Sequence, residues 1–158
     1  MMNSYVLLPD TTGSLNMTGQ PVPGCGVNPD IVSGKNTIAI TTGPKCVGRV
    51  YIEGSLVKDP YDCECGNDWF TIQLTDSEGN KLDFVEYPTY NILPNGIKIV
   101  NSDHKTFKYT FEGLPVKVRA RWDRTYLPDY EIIEKEQFIN MRWKWDLGNI
   151  QQVVLNWN

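Results

Sequence analysis

Apolar residues recur along this chain with the period of a half-buried strand. Phe70, Ile72 and Leu74 alternate with Trp69, Thr71 and Gln73, which predicts one apolar row on a buried sheet face. Just before them, Val50, Ile52 and residues 55–57 mark a second strand. Asp59-Pro60 ends it, because proline removes a ladder donor. The two runs flank a turn-rich insert that carries Cys63 and Cys65.

Strand signals continue on both sides of this pair. Ile38 and Ile40 alternate within residues 37–41, and Gly43-Pro44 breaks the run. Residues 76–80 predict a tight hairpin turn, with Gly79 free to take a positive φ. A return strand through Leu82, Phe84 and Val85 stops at Pro88. Further strands are expected over 97–100, 106–111, 116–122, 138–145 and 149–157, the last carrying Ile150, Val153 and Leu155. Turns fall about every 8–12 residues, the spacing of sandwiches and barrels. Residues 127–136 break the pattern and predict either a turn of helix after Pro128 and Asp129 or a loop.

The opening 36 residues are polar and rich in breakers, including Thr11-Thr12-Gly13 and Asn28-Pro29-Asp30. Residues 5–8 and 15–18 are short strand candidates there. Long irregular segments are functional or disordered more often than they are core. The expectation is an extended N-terminal arm over 1–36 that orders against another chain. Residues 37–158 then form a single antiparallel β-sandwich, jelly-roll-like or immunoglobulin-like.

Composition agrees with an all-β chain. Five Trp and eight Tyr among 158 residues favour pleated sheet, and 13 Gly and 10 Pro supply turns. A net charge of −4 argues against a nucleic-acid surface, which needs clustered Lys and Arg. No run approaches the ~20 apolar residues that span a membrane. Residues 1–10 lack the basic and apolar regions of a signal peptide.

Chemistry-bearing residues are sparse. The four cysteines, Cys25, Cys46, Cys63 and Cys65, admit three readings: free thiols packed as small hydrophobes, disulfides joining Cys63 or Cys65 to Cys25 or Cys46, or a zinc site. Cys63-Glu64-Cys65 is not the usual zinc knuckle spacing. His104 beside Asp103 is adjacent on a turn, a poor geometry for a base and its orienter. Nucleophile elbows, phosphate loops, zinc-protease helices and dinucleotide fingerprints are missing from the sequence. Asp62, Glu64 and Asp68, and separately Asp76, Glu78 and Asn80, offer oxygen ligands of the kind calcium takes, though charged turn tips are commonly just solvated. Glu131, Glu134 and Glu136 read as a solvated face.

The one suggestive constellation is basic and aromatic. Arg119, Arg121, Arg124, Arg142 and Lys144 interleave with Trp122, Tyr126, Trp143 and Trp145. Trp143 and Trp145 share a strand face. Joined by Trp122, they would form an aromatic platform, and Trp and Arg are the residues enriched at the centres of protein interfaces. The expected interaction surface is therefore Arg119, Arg121, Trp122, Trp143 and Trp145, with no catalytic residue and no metal assigned. Core packing, and carbohydrate or nucleic-acid stacking, are the competing uses of these side chains.

Arg49-Val50-Tyr51-Ile52-Glu53-Gly54-Ser55-Leu56, then Pro60, and Asp68-Trp69-Phe70-Thr71-Ile72 resemble small β-sandwich modules in virion structural proteins of tailed bacteriophages, those of marine cyanobacterial phages above all. The ending from Leu147 to Asn156 is similar. The resemblance implies a non-enzymatic part that decorates a capsid or joins neck, baseplate and fibres, located in the virion and assembled as a symmetric oligomer with other virion proteins. The alternative is a carbohydrate-binding module that stacks sugars on Trp122, Trp143 or Trp145. A hydrolase using Asp62 with Asp68 is the weakest of the three.

Overall fold

The computed structural model describes residues 3–27, 34–44, 46–60, 68–88, 90–92, 94–100, 105–135, 138–143 and 147–157. The strands are β1 (Asn3–Leu8), β2 (Asn16–Thr18), β3 (Val22–Pro23), β4 (Lys35–Thr42), β5 (Gly48–Ser55), β6 (Phe70–Thr71), β7 (Leu74–Thr75), β8 (Lys81–Leu82), β9 (Val85–Tyr87), β10 (Tyr90–Ile92), β11 (Lys98–Val100), β12 (Thr106–Glu112), β13 (Lys117–Asp123), β14 (Tyr130–Lys135), β15 (Phe138–Trp143) and β16 (Ile150–Trp157). One turn of 3₁₀ helix covers Cys25–Val27.

Two antiparallel six-stranded sheets carry the fold, an all-β arrangement consistent with a sandwich. The first sheet runs β1-β16-β4-β12-β7-β8. The second runs β2-β13-β5-β6, with β3 also on β13 and β9 also on β5. Two-stranded ribbons, β10–β11 and β14–β15, stand apart from both.

Side-chain parity builds the core. In the first sheet one inward row reads Tyr5, Leu155, Ile38 and Tyr109 across four strands, and the next reads Val153, Ile40 and Phe107. In the second sheet Val118, Ala120 and Trp122 on β13 face Gly54, Ile52 and Val50 on β5. Trp122, Ile38, Ile40, Ile52, Val118 and Leu155 are fully buried, and each such aliphatic side chain contributes roughly 1.5–3 kcal/mol. The hairpin at Asp76–Asn80 forms as the sequence predicts, with Gly79 at φ 87°. Asp76 Oδ1 accepts from the Glu78 and Asn80 amides at 2.9 Å.

Four expectations need correction. First, residues 3–27 are not an arm. β1 lies beside the C-terminal β16, β2 and β3 lie on β13, and Leu7, Leu8, Thr11 and Cys25 are buried. Gly19 permits this: a Cβ there would collide with the Leu7 carbonyl, so only glycine lets these backbones meet.

Second, the alternating run 69–74 is not one strand. β6 pairs with β5 in the second sheet, and β7 pairs with β12 in the first. The return run divides likewise, β8 in the first sheet and β9 in the second. Strands that switch sheets close one side of the sandwich. The switch breaks parity, so Ile72 and Leu74 are buried while Phe70 is 45% exposed.

Third, β5 ends at Ser55, and residues 56–59 bend away from the sheet. Fourth, residues 130–135 form β14, paired with β15 from Tyr130↔Trp143 to Lys135↔Phe138, and neither a helical turn nor a loop.

Candidate interaction surfaces

The outer face of the second sheet collects two of the five residues of the expected surface, Arg119 and Arg121. On β5 the outward residues are Arg49, Tyr51 and Glu53; on β13 they are Lys117, Arg119, Arg121 and Asp123. Register sets Arg119 opposite Glu53, Arg121 opposite Tyr51, and Asp123 opposite Arg49. Cross-strand neighbours of opposite charge attract, and each guanidinium also finds an aromatic face. Arg119 Nε donates to Glu53 Oε1 at 2.9 Å, with its guanidinium 4.0 Å above the Trp69 ring. Arg121 lies 4.1 Å above Tyr51 and within 3.9 Å of Glu53 and 3.7 Å of Asp123. Arg49 is wedged between Phe84 at 4.6 Å and Tyr126 at 4.0 Å, and reaches Glu86 at 3.5 Å. The result is a ladder of stacked cations and rings, worth about 0.5–2 kcal/mol per stack. Its charges are matched within the chain, so it stiffens the sheet and leaves little net field for an acidic partner.

Trp122 does not join the expected aromatic platform. Trp122 points inward from β13, fully buried, and its Nε1–H donates to the Ser14 carbonyl at 3.3 Å. It is a core residue. Trp143 lies on the separate β14–β15 ribbon and is 37% exposed. Trp145 and Lys144 lie outside the described residues. Arg124 is buried as well. It donates to the carbonyls of Leu147 at 3.1 Å and Gly148 at 2.6 Å, clamping the turn that leads into β16. Burial lowers its pKa.

Cys25 and Cys46 are free and buried. Cys25 donates to the Gly113 carbonyl at 3.1 Å, near the Lys35 end of β4. Cys46 follows the Thr42 end, where it bridges to Gly148. An eight-residue strand thus separates them, roughly 25 Å at strand rise. Zinc holds its sulfurs at ~2.3 Å, so the four cysteines do not share one centre. Cys63 and Cys65, with Asp62 and Glu64, lie outside the described residues, as do Asp103 and His104. Burial pushes the Cys46 thiol up to about 12 against the pull of nearby Arg124. Burial also raises Cys25. Asp76 is occupied by its own turn, where hydrogen bonds from Asn80 and Glu78 lower its pKa.

An apolar end of the sandwich went unseen in the sequence. Leu56 is 69% exposed, Leu114 49% and Phe70 45%, and all three line one open groove of about 700 Å³. The groove lies where the chain crosses from β6 to β7, beside the end of β12. Val57 adjoins Leu56, and Val27 stands on the 3₁₀ turn bonded to the same loop through Gly26 N–H and the Pro115 carbonyl at 2.8 Å. Among the described residues the lining carries two ionisable side chains, Lys81 and Glu112, and Lys81 Nζ already donates to Thr75 Oγ1 at 2.8 Å. The signal for this end was large apolar side chains inside turns, Leu56-Val57 before Lys58-Asp59-Pro60 and Leu114 within Glu112-Gly113-Leu114-Pro115.

Comparison with protein-family models, with curated proteins and with solved structures finds no match to this chain.

Proposed function

We propose that this chain is a non-enzymatic structural component of a tailed-bacteriophage virion, acting through protein–protein contact at the apolar end of its sandwich. The observation that carries the reading is the grouping of Leu56, Phe70 and Leu114 round one open groove. Single exposed apolar side chains are ordinary, but contiguous ones mark contact sites. Burying each such side chain against a partner contributes roughly 1.5–3 kcal/mol. A lining with one lysine held by a threonine and one glutamate favours an apolar polypeptide anchor over proton transfer. The virion setting rests on the resemblance of residues 49–56, 68–72 and 147–156 to phage structural modules.

The test is incorporation. Particles assembled from a genome that encodes the chain should carry it in fixed stoichiometry after gradient purification. Leu114→Asp, which alters an exposed position, should leave the purified chain folded and remove it from particles. Wild-type chain found only outside particles would overturn the reading. Trp143, exposed on its own ribbon, supports a second reading as a carbohydrate-stacking residue. Quenching of tryptophan fluorescence by glycans in wild type, and its loss in Trp143→Ala, would favour that reading.

A further inference from the structure

The outer face of the first sheet differs in kind from that of the second. Parity on β1, β16, β4 and β12 turns one row of apolar residues outward: Val6 pairs with Val154, and Val154 with Ala39. On one side of this row lie Ser4, Asn156 and Thr37; on the other lie Gln152, Thr41 and Thr106. None of these nine positions carries a charge. The first charges met are Lys108, opposite Ala39 on β12, and Lys35 and Glu112 at the strand ends. On the second sheet, six of the seven outward residues of β5 and β13 are charged. The apolar row also runs out to β1, where Val6 is 49% exposed on the longest outer strand of either sheet. β1 has no Lys, Arg, Asp or Glu, the residues that commonly guard an open edge, and its register shifts only past Val6, towards Leu8.

We infer that this face and the β1 edge beside it are a self-association surface, and that the occupant is a second copy of the chain related by a twofold axis. Charge argues for the copy. The chain carries a net −4, so two copies repel overall, and a twofold contact sets residues near the axis against their own equivalents. An uncharged face is the one that meets itself without like-charge cost. Shape allows it, since short side chains such as Ala39, Thr37 and Ser4 leave few protrusions between the register shifts at Val6–Leu8 and Ile150–Gln152, and sheets stack at ~10 Å. Charge is also depleted from the cores of interfaces generally.

Area sets the expected strength. The three strands that carry the row, β1, β16 and β4, spaced ~4.8 Å apart and about seven residues long, give a patch of roughly 14 by 23 Å, on the order of 300 Å² in projection, bounded by Lys108 on β12. Standard interfaces bury ~800 Å² of accessible surface per partner, so the dimer should be weak and form only as concentration rises. This inference uses a different surface from the groove and stands without the virion reading.

The experiment is native mass spectrometry with sedimentation on the purified full chain. Wild type should pass from monomer to dimer as its concentration rises. Ala39→Arg, in the middle of the row, should weaken the dimer by at least ~10-fold through like-charge apposition. Ala39→Glu should do the same, and an equimolar mixture of the two variants should restore a heterodimer, which a misfolded chain would not do. Leu114→Asp should leave the dimer intact. A wild type that stays monomeric as its concentration rises, a dimer indifferent to both charges at position 39, or variants that fail to re-pair would each overturn the inference.

Discussion

The ring of Trp122 occupies the space that a side chain on Gly48 would fill. A Cβ at Gly48 would overlap the far edge of the indole, and Gly48 itself sits at φ 151°, where L side chains are strained. Glycine on β5 and the largest side chain on β13 are thus one packing unit, anchored by the indole N–H on Ser14. Gly48→Ala must move the ring or the strand, and overpacking of this kind costs about 1–3 kcal/mol before backbone strain is added. Urea denaturation should show a loss of about 3 kcal/mol with an unchanged slope. A variant as stable as wild type would mean that the ring relaxes freely.

Arg124 makes a second test of the core. Its two charged hydrogen bonds hold Leu147 and Gly148, and it is the connection through which the chain reaches β16. Arg124→Met keeps much of the volume and leaves both carbonyls short of a donor. Bonds to charged groups are worth about 1.5–3 kcal/mol each, and lost burial of the charge offsets part of that. A net loss of about 2–4 kcal/mol is expected. Hydrogen exchange should quicken first at Ile150, whose amide bonds to Thr11 Oγ1 within the same connection.

These two residues also show what the sequence could and could not disclose. β4, β12, β13 and β16 were legible because alternation inside each is strong and each strand keeps to one sheet. Trp122 was misplaced by grouping it with Trp143 and Trp145 on residue type. Its parity with Val118 and Ala120, opposed to Arg119 and Arg121, already pointed inward. The cross-strand stack of Arg119 on Trp69 was not legible, since it depends on the register of β13 on β5 and on where β6 leaves the sheet. β1 was anticipated as a short strand at residues 5–8 but assigned to an arm instead of the sandwich, for a related reason. Its partner β16 lies at the other end of the chain, and a six-residue strand with two buried residues carries little pattern of its own.

Alkaline pH should destabilise the fold through a buried cluster. Tyr87 and Tyr109 share a hydroxyl–hydroxyl bond of 3.1 Å, and both are pushed up by burial, Tyr109 from 10.0 to about 12. Cys46 is raised from 9.0 to about 12. An acid whose pKa is raised by folding favours the folded chain while protonated. That contribution is whole below the unfolded pKa and is lost as pH rises through the folded one. Stability should therefore be flat up to about pH 9 and fall between about 9 and 12. Tyrosinate absorbance should rise together with the loss of near-ultraviolet circular dichroism. Ionisation of Tyr109 while the tertiary signal persists would contradict the burial argument. Cys46→Ala should flatten the part of the slope that begins near 9.

The ladder on the second sheet makes a chemical prediction that separates arginine from mere positive charge. Arg119 is held at once by Glu53 at 2.9 Å and by the Trp69 ring at 4.0 Å, with both charged side chains largely shielded from water. Lysine can restore the charge, but it has neither the planar face that stacks nor the fixed fork that meets a carboxylate. Arg119→Ala should cost about 2 kcal/mol, because it leaves the shielded Glu53 with only the longer contact to Arg121 at 3.9 Å. Arg119→Lys should recover less than half of that. A cycle with Glu53→Gln should return a coupling of about 1 kcal/mol, within the range for residues in contact. Were lysine to match wild type, the stack on Trp69 would contribute nothing and Coulomb attraction alone would explain the pair. The pattern expected from the geometry is the opposite, a loss that charge replacement does not repair, because Trp69 sits where only a flat cation can lie against it.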